Sequence, residues 1–271
     1  MSFDDTPNIT LLKRVILSHN RRHLQREAAV NPAQSIGNCL NFENGEDKIK
    51  KMTSLENLMR QFRHPDETPK LLFWRGLLTK IMLSKIFEPV KLHAYMRNGT
   101  IYAEEVGAIE QASSVYSKWG INFENICRKS QFSLNGAEIM HIFRASIMSH
   151  EIVFGAEIDG YIDESNYVEL KTNRILLSPN DHKYFIMKII KTWAQCYLAG
   201  IEIIIIGFRD DCGVIRTLKK VNTKDIPRLY FPENVSSMGI ICHLTDFLNF
   251  LETTFVQGKQ EIMIEIANDF K

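Results

Sequence analysis

The sequence has no C-x-x-C pair, and its five cysteines (Cys39, Cys127, Cys196, Cys212 and Cys242) are odd in number. A disulfide framework and a structural zinc site both need paired or clustered thiols, so neither is expected, and a reducing compartment is. Charge of one sign is not in excess either: 33 Lys and Arg face 32 Asp and Glu, a formal net charge of +1. Such a chain offers no global field to a polyanion, so any nucleic-acid site has to be a local patch. Long hydrophobic runs are missing. The longest, IEIIIIGF at 201–208, is far short of the roughly 20 residues that span a bilayer. It reads as a strand buried on both faces. The opening MSFDDTPNIT is acidic and polar, unlike a secretory leader. Nuclear or cytosolic placement without a membrane is the expectation, the nucleus first.

What is present is ordinary globular material. Hydrophobic residues make up 45% and charged residues 24% of 271 positions, enough for one large domain with a full core. No repeat or linker divides the chain, so 1–271 is read as a single domain. Residues 1–50 are polar and turn-rich and read as a loosely ordered arm; the basic KRVILSHNRRHLQR at 13–26 is either a solvated face or a phosphate-contacting segment. Helical spacing appears in LENLMRQF at 55–62 and in LLFWRGLLTKIMLSKIF at 71–87. Alternation on both sides of Asn98-Gly99 predicts a hairpin with a type I′ turn. A helix interrupted near Gly120 is expected over 110–127, and strands over 137–146, 151–162 and 166–172. A long helix from 182 closes at Gly200. A strand pair follows around DDCG, then a helix over 241–257 and a last strand from 261. The fold class is α+β, largely antiparallel, with helices packed on the strands.

One stretch breaks this pattern: FGAEIDGYIDESNYVELKT at 154–172. Two apolar segments carry charge where a buried strand would not: Glu157 and Asp159 on the first, Glu169 and Lys171 on the second. Residues i and i+2 of a strand share a face. If the two segments pair, three carboxylates converge and resist ionisation together. A divalent cation removes that repulsion, and oxygen ligands suit Mg²⁺ or Mn²⁺. A lysine beside such an ion can hold the attacking water or the growing phosphate charge. This is the logic of a D…(D/E)xK nuclease core. A solvent-facing strand pair with cross-strand ion pairs is the alternative.

The order of further segments decides between them. WRGLLTK at 74–80, GTIYAEEV at 99–106, WGINFE at 119–124, FRASIMSHEIVFGAEID at 143–159, YVELKT at 167–172, KTWAQCYLAG at 191–200 and GFRD at 207–210 together resemble the DXO/Rai family of RNA 5′-end decapping enzymes. The resemblance implies two mostly antiparallel sheets with flanking helices and an active-site cleft between the sheets. It implies a metal-dependent hydrolase that removes incomplete or NAD caps, or pyrophosphate from a 5′-triphosphate, with 5′–3′ exoribonuclease activity in some members. The chemistry would be in-line attack by water, supported by two Mg²⁺ or Mn²⁺ ions, in RNA quality control. Single-stranded RNA 5′ ends are the implied partner, and a nuclear 5′–3′ exoribonuclease of the Xrn/Rat type is a second. A non-catalytic stabiliser of that exoribonuclease is the alternative function, and a DNA endonuclease shares the core.

The same resemblance implies roles by position. Glu124, Glu157, Asp159, Glu169 and the main-chain carbonyl of Leu170 would hold metal. Glu157, Lys171 and Gln195 would face the scissile phosphate and the water, Trp74, Arg75 and Gly76 would meet the RNA 5′ end, and Met140 would line the substrate path. Each residue also has a plain structural reading. Glu124 suits a helix surface, Arg75 a structural ion pair, Gln195 a backbone partner, and Trp74 and Trp193 the core. Arg144 and Arg209 suit either phosphates or salt bridges.

Overall fold

The computed structural model describes residues 68–107, 114–127, 139–163 and 166–267, together with Leu55 and the backbone of 33–35 and 40–41. Apart from 33–35 and 40–41, the arm over 1–50 with its basic stretch and Cys39, and nearly all of the 55–62 helix, lie outside these residues.

Two sheets carry the fold. The larger holds β1 (Ala33–Ser35), β2 (Leu40–Asn41), β3 (Leu71–Trp74), β4 (Val90–Arg97), β5 (Thr100–Glu105), β6 (Ile139–Ile147), β7 (His150–Glu157) and β12 (Glu261–Ile266), in the order β1-β6-β7-β3-β5-β4-β12, with β2 also on β6. The smaller holds β8 (Gly160–Asp163), β9 (Asn166–Arg174), β10 (Ile203–Arg209) and β11 (Ile215–Asn222), in the order β11-β10-β9-β8. Pairing is mostly antiparallel. Only β3 with β5 and β7, and β9 with β10, run parallel among the described residues. Between and around the sheets lie α1 (Arg75–Leu83), α2 (Val115–Cys127), α3 (Pro179–Ala199), a short α4 (Ile226–Tyr230) and α5 (Ser237–Val256).

Local chemistry explains most boundaries. Asn98 and Gly99 both take positive φ, 51° and 81°, as the type I′ turn between β4 and β5 requires. α3 starts three residues earlier than its apolar pattern suggests. Ser178 and Asp181 form a capping box with Pro179 in the first turn, and Gly200 closes the helix at φ 65°. The run at 203–208 is covered on both sides as expected. Ile204, Ile206 and Phe208 join the main core with α3, whereas Ile203 and Ile205 pack toward Phe123 of α2.

Three expectations need correction. LLFW is a strand, so the 71–87 helix begins only at Arg75; a short apolar run cannot by periodicity separate a central strand from a helix. α2 runs through Gly120 unbroken. Glycine weakens a helix by about 1 kcal/mol without breaking it, and a Cβ there would meet only Thr172 Oγ1, at 3.9 Å. The third correction bears on the site. Glu157 ends β7 in the large sheet, and β8, which pairs antiparallel with β9, belongs to the small one. Glu157 and Asp159 are therefore not two rungs of one strand. Asp159 lies where the chain crosses from sheet to sheet. The seam is packed by His141 of β6 against Tyr161 and Tyr167 of β8 and β9, and Tyr161 Oη lies 2.5 Å from His141 Nε2. Burial lowers the His141 pKa to about 4, so this ring is neutral at physiological pH.

Gly213 offers a test of the α2 docking. Its φ is +84°, and a Cβ would come within 2.6 Å of the Trp119 ring. Gly213→Ala is expected to destabilise the protein by about 1–3 kcal/mol from the backbone alone, with the clash adding to it. Thermal melts check this; an unchanged Tm would mean that Trp119 does not pack there.

Candidate active site

The site grows from the crossing at Asp159. With Ile158 buried on one side and Gly160 opening β8 on the other, the Asp159 carboxylate turns toward β9 and is nearly covered, at 6% exposure. Its Oδ2 accepts the Leu170 N–H at 2.8 Å and the Lys171 ammonium at 3.0 Å. Glu169 is buried more deeply, at 1%. Its Oε1 lies 2.5 Å from Lys171 Nζ, and its Oε2 lies 3.5 Å from Arg75 Nη1. Arg75 opens α1, so the strand–helix junction of β3 and α1 aims a guanidinium at the small sheet. Glu169 Oε2 and Arg75 Nη1 are both buried without a hydrogen bond. An ion pair at that separation neutralises charge but leaves donor and acceptor open to another partner.

The position of the Lys171 ammonium is informative. It also donates to the Leu170 carbonyl at 3.2 Å. One monovalent cation is thus ringed by Asp159 Oδ2, Glu169 Oε1 and Leu170 O, an all-oxygen set of two carboxylates and one carbonyl. Burial alone would push the lysine pKa down; the Glu169 and Asp159 carboxylates outweigh it and hold it well above the usual value. Two carboxylates and a carbonyl are the kind of oxygen donors that a hard divalent ion takes. Among the described residues, no three His, Cys, Asp or Glu side chains cluster closely enough to hold a metal. Glu157, half-buried at the end of β7, and Glu124, half-buried on α2, do not complete such a group with Asp159 and Glu169.

The remaining positions fall around this centre. Gly76 follows Arg75 on α1 and is exposed, with no atom near its missing Cβ. Trp74 turns the other way. It packs with Tyr95 against Leu72, Tyr102, Ile142 and Val153, a cluster separate from the main core. Met140 is the antiparallel partner of Glu157 in β6–β7. Gln195 is half-buried on α3, while Trp193 is core, stacked on Tyr197 and edge-on to Phe231. Arg209 lies beneath two rings, 4.9 Å from the Tyr116 centroid and 4.6 Å from Trp119, both on α2. One neighbour escaped the sequence reading. Lys188 of α3 donates to the Thr172 carbonyl of β9. It stands seven residues before Gln195, two helical turns on the same stripe, so it docks that stripe of α3 along β9. The i−7 spacing was the available signal.

Comparison with known proteins follows this geometry. The sequence profile described as "RAI1 like PD-(D/E)XK nuclease" matches residues 31–269. The decapping nuclease RAI1 of Aspergillus fumigatus is 26% identical over 235 residues, which cover 69% of this chain and 63% of that protein. The chain thus spans a little under two thirds of that relative's length. The crystal structure of Rai1 from S. pombe superposes with a TM-score of 0.65 at 26% identity, covering 88% of this chain and 76% of that one. Candida albicans Rai1, crystallised with pU5 and Mn²⁺, superposes with a TM-score of 0.62 at 20% identity over 82% and 72% of the two chains. With the profile running through both sheets and across Asp159, Glu169 and Lys171, the chain belongs to the RAI1-like PD-(D/E)XK nuclease family.

Proposed function

We propose that this protein is a divalent-metal-dependent hydrolase of RNA 5′ ends, acting in the nucleus on incomplete or NAD caps and on 5′-triphosphates. The observation that carries this reading is the oxygen ring of Asp159, Glu169 and Leu170 around one half-buried cation. The decapping activity named for its relatives and the pU5 and Mn²⁺ held by Candida albicans Rai1 support it. A divalent ion on those oxygens would supply charge neutralisation at the phosphoryl group. The chain's own residues do the rest. Arg75 fixes the Glu169 carboxylate from the side opposite Lys171. Lys171, once freed from the carboxylates, carries its positive charge to the scissile phosphate, and the Gln195 amide orients the substrate by hydrogen bonding. The core around Leu170 and Ile205 excludes water from the inner side of the site.

The test is direct. The protein is incubated with 5′-triphosphate, incompletely capped, NAD-capped and 5′-monophosphate RNAs, with Mg²⁺, with Mn²⁺ or with EDTA, and the products are resolved. Release of a cap fragment, of NAD or of pyrophosphate, dependent on the ion, is the expected result. No product from any RNA would overturn the hydrolase and favour a stabilising partner of a 5′–3′ exoribonuclease.

A further inference from the structure

Two cations beside the site are held differently from their paired neighbours. Arg174 is held by Asp181 and Asp211, Arg216 by Asp210, Lys80 by Glu105, and Arg75 and Lys171 by Glu169. Lys188 has only the Thr172 carbonyl, and Arg209 has the two ring faces and the Asp210 carbonyl at 3.3 Å. Among the described residues, no carboxylate pairs with either. An ammonium donates three hydrogen bonds, so two donors of Lys188 remain for another acceptor. The charges of Lys171 and Arg209 lie close enough to repel Lys188. Crowding of this kind is relieved by an anion. Its place is also informative. Thr172 stands two residues beyond Leu170 on β9, about 7 Å along the strand, which is on the scale of one nucleotide step. The Lys188 side chain is exposed at residue level, within reach of a solvent-borne strand.

We propose that Lys188 is a substrate-positioning residue that binds a backbone phosphate of single-stranded RNA downstream of the scissile bond, with Arg209 supporting it from behind. Aromatic packing of Tyr116 and Trp119 holds the Arg209 guanidinium in place, so its charge is fixed. Lys188 makes the direct contact. The inference rests on the reading of the site as an RNA 5′-end hydrolase and extends it to the strand that leaves the site. A lysine contact of this kind carries no base information, so it favours no sequence.

The experiment uses the full chain and a 3′-labelled, 5′-phosphorylated pentauridylate in EDTA, where hydrolysis does not interfere. Fluorescence anisotropy is read over a salt series for wild type, Lys188→Ala and Lys188→Arg. Lys188→Ala should weaken binding about 5–10-fold and lower the slope of log Kd against log salt by about 0.7, the value for one phosphate contact on a single strand. Lys188→Arg should restore both. With the ion present, the loss should fall on KM rather than on kcat. If wild type binds and cuts RNA while Lys188→Ala shows the same Kd and slope, this inference fails and the hydrolase reading stands. If binding depends on Lys188 but no RNA 5′ end is cut, the hydrolase reading fails, and only the Lys188–phosphate contact stands, without its placement downstream of a scissile bond. If wild type does not bind the pentanucleotide at all, both fail.

Discussion

Asp159→Asn is expected to abolish most of the activity and all of the response to metal. The substitution keeps the shape of the side chain, and its remaining carbonyl oxygen can still accept the Leu170 N–H that Oδ2 now accepts at 2.8 Å. What it removes is one of the two buried negative charges that ring the cation site. A directly positioned electrostatic group is worth about 10²–10³ in rate, so turnover on 5′-triphosphate RNA should fall at least about 100-fold. A second readout is independent of turnover. An ion present at about 100 times its Kd stabilises a protein by about 2.7 kcal/mol. That is a rise of about 5 °C or more in Tm for a chain of this size. Wild type should show the rise with Mn²⁺, and Asp159→Asn should not. Wild-type hydrolysis and an unaltered Mn²⁺ shift in the variant would remove Asp159 from the site.

Lys171→Ala is expected to destabilise the metal-free protein, and Mn²⁺ should rescue it. The sequence placed Lys171 beside the scissile phosphate and the water, a role in chemistry alone. The structure changes that expectation. The ammonium bridges Asp159 at 3.0 Å and Glu169 at 2.5 Å, with Glu169 only 1% exposed. Without it, two covered carboxylates face each other with Arg75 as their nearest compensation, 3.5 Å from one of them. Breaking a buried pair costs about 3–5 kcal/mol. The Lys171 side chain keeps 25% exposure, which lowers the expected loss to about 2–3 kcal/mol. In EDTA the variant's Tm should therefore lie at least about 5 °C below wild type. Mn²⁺ should raise it more than it raises wild type, because the ion neutralises charges that the lysine no longer covers. Turnover stays low even in excess Mn²⁺, since the cation that meets the phosphate is gone. Equal melting temperatures in EDTA would show that the ammonium does not hold this position in solution.

The charged residues of this site could be read from the sequence because they interrupt otherwise apolar segments. Glu169 and Lys171 stand between Val168, Leu170 and Thr172 on β9, and alternation alone puts both on one face. The Asn98-Gly99 turn, the αL cap at Gly200 and the doubly buried strand at 203–208 follow from local chemistry in the same way. In each case the signal and the structure lie within a few residues of each other. The placement of Asp159 was not local. Spacing made Glu157 and Asp159 look like partners on one strand, yet Asp159 sits in the two-residue crossing between sheets, where its orientation comes from the Leu170 N–H and not from a pleat. Arg75 looked equally suited to a structural pair or to RNA. Only the packing of β3 and α1 against the small sheet puts it on Glu169. Lys188 was marked only by its seven-residue spacing from Gln195, one lysine among several on a helix, until α3 docked on β9 and laid it over the Thr172 carbonyl. Residue type and short-range spacing determine which groups can ionise and which face of an element they occupy. Which charges meet depends on long-range packing, because Coulomb energy follows distance in space and is indifferent to distance along the chain.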